Sequence, residues 1–160
     1  MITNFKIFEN VSDYNINRIV NGNYETILDF LLKNNADVNK KDDYTNRTPL
    51  INAARSNKLS ILNKLLNAGA EVDSVDNFGY TALLYAAQNF AEKILSSETN
   101  IALDIIISLT KFGANWNVQD NDGFDIFRFL NDADNEKLIQ MFPDKYNDYI
   151  IAKDAEIYNL

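Results

Sequence analysis

The sequence predicts an all-α solenoid of about four stacked helix-turn-helix repeats with hairpin fingers between them. Three observations carry that expectation. Residues 67 to 87, NAGAEVDSVDNFGYTALLYAA, change period three times, from a helix end through an Asp-rich turn to an alanine-rich apolar run. The pattern then recurs: Asp43 returns at Asp76, Thr48 at Thr81 and Ala54 at Ala87, each 33 residues on. The Gly69-Ala70 pair returns at Gly113-Ala114, 44 residues on, so the third unit is enlarged by an 11-residue insertion. Self-similarity at such a period marks stacked supersecondary units that bury a shared core.

Taken in order, the first unit (residues 12–42) keeps Ile16, Ile19 and Val20 at helical spacing. It has YNINRIV where later units have TPLINAA or TALLYAA, so it reads as an N-terminal capping repeat. Its second half, TILDFLLKNNADVN, matches SILNKLLNAGAEVD at an offset of 34 residues. In the second unit (43–75), Thr48 is placed to N-cap a helix whose first residue is Pro49, where the missing N–H costs nothing. Leu50, Ala53 and Ala54 share one face, and the alanines let a neighbouring helix approach closely. Ile61, Leu62, Leu65 and Leu66 form the wall of a second helix, which Gly69 ends in a left-handed cap. In the following turns, Gly79 or its counterpart Asn46 takes positive φ at little cost.

The third unit (76–119) repeats this scheme with its insertion between Ala87 and Ile105. Phe90 and Ile94 continue the face of Leu83, Ala86 and Ala87, which predicts about two extra turns on the first helix, with Thr99 or Asn100 capping the next. The insertion projects from the side opposite the fingers, either as a lengthened helix pair packing on itself or as a second contact surface. Trp116 is expected to fill core or to cover the edge that the insertion leaves. The fourth unit (120–143) is a C-terminal capping repeat in which Leu130 and Asn131 replace the small pair and Pro143 ends the second helix. The tail (144–160) sets Tyr146, Tyr149, Ile150 and Ile157 near helical spacing and reads as a capping helix that seals the stack.

Composition narrows the chemistry. At 160 residues and 46% apolar, the chain can bury one core and reads as a single domain, 1–160. With neither Cys nor His, disulfides, thiolate nucleophiles and the commonest general base and transition-metal ligand are excluded. Asp120, Asp122 and Asp125 superficially suggest a calcium loop, but the Gly falls too early and no Glu stands at the twelfth position. No phosphate loop, dinucleotide fingerprint or nucleophile elbow is present. A non-enzyme with no cofactor and no metal follows. The N-terminus, MITNFKIFENVSDYN, has no unbroken apolar run, and IALDIIISL is too short to cross a bilayer. A cytoplasmic protein is expected, with secretion as the alternative.

The segments TPLINAA, LLNAGAEVD, TALLYAA, LLKNNADVN and FGANWNV resemble the ankyrin repeat over roughly residues 12 to 142. Ile51 and Leu84 stand where that family has His, so the family's hydrogen bond from His to the neighbouring turn must be absent. The resemblance implies a concave face of finger tips and first helices that binds a protein partner. Its contact positions fall on Tyr44, Thr45, Arg47, Arg55 and Ser56 in one unit. The next unit supplies Asn77, Phe78, Tyr80, Tyr85, Gln88 and Asn89, and the last finger Asn121, Asp122 and Phe124. Five of these are aromatic, and aromatics with Arg carry much interface energy.

Charge adds a second cue. The net charge of −8 argues against wholesale attraction to nucleic acid or anionic lipid. From Lys33 to Lys64 there are seven basic residues against three acidic, and from Asp120 onward ten acidic against four basic. Either this is an ordinary solvated surface or it steers a partner with a basic patch towards the C-terminal half. A monomeric, non-catalytic binder of one folded partner is the leading expectation. An inhibitor or small adaptor, a bacterial immunity or antitoxin-type protein, and a host-directed effector all remain open. The rival class is a nucleic-acid or small-molecule binder acting through the basic end.

Overall fold

The computed structural model describes residues 16–22, 24–92, 99–130 and 132–158, and all the regular structure among them is helical. Helix α1 spans Ile16–Gly22, α2 Glu25–Lys33, α3 Pro49–Arg55, α4 Leu59–Asn67, α5 Ala82–Glu92 and α6 Thr99–Lys111. A 3-10 turn, Ile126–Arg128, precedes α7 (Asp132–Met141) and α8 (Pro143–Tyr158). Each odd helix pairs with the even helix that follows it, and α1, α3, α5 and the 3-10 turn pack in sequence as an inner row. In the outer row, α2, α4 and α6, exposed contacts tie α4 to α2: Ser60 Oγ donates to Glu25 at 2.9 Å, and Lys64 meets Asp29 at 2.7 Å, while α4 packs on α6.

Local chemistry explains where the helices begin and end. Thr48 Oγ1 accepts from Ile51 N–H at 3.3 Å and Thr81 Oγ1 accepts from Leu84 N–H at 3.2 Å, so each inner helix opens on a threonine cap. Pro49 is the first residue of α3. At the other end, Gly69 follows α4 with φ +86, and Ala70 N–H reaches back to Leu65 O at 3.0 Å. Asn35 does the same after α2 with φ 58, because an asparagine tolerates this left-handed geometry better than other side chains. Asn57 closes α3 in the same way, with φ 52.

The core is one apolar spine. Ala53, Ala54, Ala86 and Ala87 are fully buried, which lets α3 and α5 lie close together. Ile61, Leu62 and Leu65, fully buried, form the α4 wall. Trp116, 3% exposed, packs on Phe127 and Phe142 and donates from Nε1 to Thr110 Oγ1 at 3.2 Å. It therefore fills core between the third unit and the C-terminal cap. In that cap Tyr146 and Tyr149 lie 5.6 and 4.5 Å from the Phe127 ring, and Tyr149 Oη donates to Asp125 Oδ2 at 2.9 Å. Ile150 faces partly outward, at 38% exposure, and the side chain of Ile157 lies outside the described residues.

Three details differ from expectation or fall beyond it. The first finger is one residue longer than the others: Asp42, not Asp43, is the structural counterpart of Asp76. Asp42 N–H bonds Arg47 O at 2.9 Å, where Asp76 N–H bonds Tyr80 O at 3.1 Å. The extra residue sits at the finger tip, so the 33-residue period of the helices and the finger roots differ by one. Helix α5 has 11 residues against 7 in α3, one added turn, and the second expected turn would fall on residues 93–98, outside the described set. Thr99 and Asn100 open α6, and the capping role expected of their side chains also lies outside it.

Candidate functional site

Each finger is built on a carboxylate at its root. Asp42 Oδ1 accepts from the N–H groups of Tyr44 and Thr45 at 3.0 and 2.7 Å, and its Oδ2 accepts from the Thr45 hydroxyl at 2.6 Å and Arg47 N–H at 3.1 Å. Asp76 Oδ1 accepts from Phe78 and Tyr80 N–H at 2.9 and 3.0 Å, and Asp120 Oδ1 from Asp122 and Phe124 N–H at 2.9 Å each. These are Asx-type turns, in which a short acidic side chain replaces backbone partners. The signal was present in DNFGY and DNDGF, which share an Asp with a Gly three residues on.

The fingers are then laced to one another. Asn77 N–H donates to Thr45 O at 3.0 Å and its amide to Tyr44 O at 3.1 Å. Asn121 repeats this one finger later, with N–H to Phe78 O at 3.0 Å and amide to Asn77 O at 2.9 Å. Behind the fingers, Asn89 Nδ2 donates to Ala54 O and Arg55 O at 3.1 Å each and so caps the carbonyl end of α3.

Across the second finger runs a buried charged triad. Arg47 Nε donates to Asp76 Oδ2 at 3.0 Å, Arg47 Nη2 to Tyr85 Oη at 2.8 Å, and Tyr85 Oη to Asp76 Oδ2 at 2.8 Å. Burial, reinforced by the hydrogen bond to Asp76 and its charge, pushes the Tyr85 phenol up to about 12. Burial disfavours the Arg47 cation, yet Tyr85 and Asp76 together hold its pKa above the ordinary value.

Burial by itself would raise the Asp42 carboxyl, but the donations from Thr45, Tyr44 and Arg47 outweigh it and hold the group below its ordinary 3.8. A carboxylate depressed in the folded state adds stability that is complete above its unfolded pKa and is lost as pH falls through its folded one. Urea midpoints measured between pH 6 and pH 2 should therefore fall more steeply for the wild type than for Asp42→Asn. Parallel curves would show that Asp42 contributes nothing to the acid limb.

Between fingers and inner helices lie two shallow clefts. The first, of about 400 Å³, is walled by Arg47, Phe78, Tyr80, Tyr85, Gln88, Asn121 and Asp122. The second, also about 400 Å³, lies between α1 and α3, with Arg18, Arg55, Asp42, Asp43 and Tyr44 among its walls. The expected contact residues divide accordingly. Tyr44, Phe78 and Phe124 are 90%, 55% and 37% exposed, and Arg55, Ser56 and Asp122 are exposed as well. Gln88 and Tyr80 are half-buried in the first cleft.

Others among these residues also hold the scaffold. Tyr85, 8% exposed, is spent on Asp76 and Arg47 and offers little surface. The Arg47 side chain, 15% exposed, is held by the same triad. Thr45, Asn77, Asn89 and Asn121 use their polar groups to bind Asp42, neighbouring fingers or helix ends.

The outward charge is also less lopsided than the sequence suggests. Asp76, Asp120 and Asp125 are 5%, 7% and 8% exposed and serve the fingers and the cap. On the basic side, Lys58 Nζ donates to Val20 O at 2.6 Å, Lys41 Nζ to Val75 O at 2.9 Å, and Lys64 pairs with Asp29. Among the described residues, no group of three or more His, Cys, Asp or Glu is placed to hold a metal ion, and no helix is long and apolar enough to cross a membrane.

This arrangement, an inner and an outer row of helices with laced hairpin tips, defines a helical-repeat solenoid of the kind that generally serves protein–protein interaction. A sequence profile described as ankyrin repeats in three copies matches residues 16–120, and the chain belongs to the ankyrin repeat family. It is similar to ankyrin repeat protein FPV031 of fowlpox virus, at 34% identity over 104 residues, covering 64% of this chain and 27% of that protein. It is also similar to human ankyrin repeat and SOCS box protein 6, at 31% identity over 106 residues, covering 66% of this chain and 24% of that one. The chain thus spans about a quarter of the length of these relatives. Among solved structures, the ankyrin repeat domain of Bcl-3 superposes with a TM-score of 0.62 at 24% identity, covering 74% of this chain and 47% of that one, a likeness of fold.

Proposed function

We propose that the chain is a non-catalytic protein-binding module that docks one folded protein against its finger tips and inner helices. One observation carries this: Tyr44, Phe78 and Phe124 project into solvent from finger tips whose backbones are fixed by root carboxylates and by finger-to-finger hydrogen bonds. Exposed rings on a rigid support favour association, since large apolar area is offered while little conformational freedom remains to be lost. In this reading the protein acts as a cytoplasmic monomer without cofactor, as an inhibitor or small adaptor, with an immunity or antitoxin-type role or a secreted effector as the alternatives. The basic-end nucleic-acid reading has less support, because Lys41, Lys58, Lys64 and Arg47 are all committed to internal acceptors.

The double variant Tyr44→Ala/Phe78→Ala should lose partner capture while its melting temperature stays within a few degrees of wild type. Tyr80→Ala is a poorer probe, since that ring lies 4.8 Å from Tyr85 and 5.7 Å from Phe129. Undiminished capture by the double variant would move the binding face elsewhere, for instance to the lengthened helix pair.

A further inference from the structure

The cleft between the second and third fingers carries an unbalanced charge. Arg47 is the cation on its wall, and Asp76 already neutralises it across 3.0 Å. Asp122 is exposed, and its carboxylate forms no hydrogen bond or ion pair with the described residues. Asp120, at the root of the same finger, has backbone N–H donors on Oδ1 and the Tyr80 hydroxyl as a partner, but no cation. Burial first, then the charge and hydrogen bond of Asp120, and behind them the charges of Asp122 and Asp76 raise the pKa of the Tyr80 phenol. Arg128, the nearest basic residue in sequence, lies over the Phe124 ring at 5.0 Å and is not on the cleft wall.

The walls of the same cleft are aromatic. Phe78 is 55% exposed, and the Tyr80 and Tyr85 rings, tilted 41° to each other, have centroids 4.8 Å apart. The Arg47 guanidinium already lies 5.9 Å from the Phe78 centroid and 5.4 Å from that of Tyr85, so the attraction for a second cation comes first from the unpaired Asp122 carboxylate, with the exposed part of the Phe78 ring as apolar cover for its stem. The neighbouring cleft lacks this sign, because its exposed Arg18 and Arg55 are offset by Asp42 and Asp43.

We propose that the cleft bounded by Phe78, Tyr80 and Asp122 seats one basic side chain, Arg or Lys, presented by the protein partner, with the ring of Phe78 against its stem and the Asp122 carboxylate on its charged head. The proposal rests on the finger-face reading above and narrows it to a partner chemistry. The excess of carboxylates from Asp120 onward would bias the approach of such a partner towards this end of the stack.

The test uses the full chain, ¹⁵N-labelled, titrated with N-acetyl-arginine N-methylamide and separately with N-acetyl-glutamate N-methylamide. The arginine probe should shift the amides of Phe78, Tyr80, Gln88 and Asp122 along saturating curves, and the glutamate probe should not. Asp122→Asn should weaken the arginine probe about threefold, the scale of one exposed ion pair. Asp122→Lys, which puts a cation of its own at the cleft, should abolish the shifts with an unchanged melting temperature. Absent or scattered shifts, equal response to both probes, or full binding to Asp122→Lys would each overturn the proposal. Partner capture separates the two levels. If Tyr44→Ala/Phe78→Ala loses capture and Asp122→Lys keeps it, the cleft assignment fails and the finger-face reading stands. If both variants keep it, both fail.

Discussion

Asp76→Ala should cost about 3–5 kcal/mol of folding stability, the scale of breaking a buried ion pair by removing one partner. Its side chain is fully buried and serves four donors: Phe78 N–H, Tyr80 N–H, Arg47 Nε and Tyr85 Oη, at 2.8 to 3.0 Å. Removing the carboxylate strands a guanidinium that is itself only 15% exposed, and leaves the root of the second finger unclosed. The donors come from the first finger, the second finger and α5, so the damage reaches two successive repeats. Asp120→Ala is the informative control. It removes the same two backbone interactions, from Asp122 and Phe124 N–H, without orphaning an arginine, and should cost about 1–3 kcal/mol.

Urea denaturation of both variants gives the comparison. Adding Arg47→Met to Asp76→Ala should recover part of the loss, because the unpaired charge then disappears with its partner. A loss below about 1 kcal/mol for Asp76→Ala would mean that the triad is energetically idle, and no recovery in the double variant would mean that the stranded arginine carries none of the cost.

Which parts of this could be foreseen depends on the range over which the signal acts. Thr48, Pro49, Gly69 and the alanine pairs act within one or two helical turns, so their residue types announce helix starts, stops and close contacts directly. Arg47 meets Asp76 and Tyr85 at sequence separations of 29 and 38, and no local pattern announces such a triad. The first finger misled for a related reason. Its one-residue elongation leaves two adjacent aspartates, Asp42 and Asp43, and the helix period alone selects the wrong one of them as the root. The amides of Asn77, Asn89 and Asn121 were ambiguous by chemistry. An asparagine suits a partner contact and a finger-to-finger bond equally well, and only the geometry shows which acceptors lie within reach. The exposed rings needed no such resolution, since a tip residue that caps nothing and packs on little must face solvent.

Gly79→Ala and Gly123→Ala should differ sharply, although both positions have φ +80 and both sit at the tip of a finger with the same Asp root. At either one, an alanine in this left-handed region costs about 1–2 kcal/mol from the clash of Cβ with its own backbone. At Gly123 a Cβ meets nothing within 4 Å, so that cost is the whole effect. At Gly79 it would lie 2.7 Å from both the backbone nitrogen and Oδ1 of Asn121, and 3.0 Å from the carbonyl carbon of Asp120. Two of these are backbone atoms and the Asn121 amide is held by its bond to Asn77 O, so the third finger itself must move. Moving it strains the bonds from Asn121 to Phe78 O and Asn77 O, which join the two fingers. Overpacking of this kind adds about 1–3 kcal/mol, so Gly79→Ala should fall about 2–5 kcal/mol below wild type and well below Gly123→Ala. Hydrogen exchange at the Asn121 amide gives a second readout, since protection should drop in the Gly79 variant and persist in the Gly123 variant. Equal urea midpoints for the two would show that the fingers are not held in register by close contact, and the docking face would then lose the rigidity on which its proposed use depends.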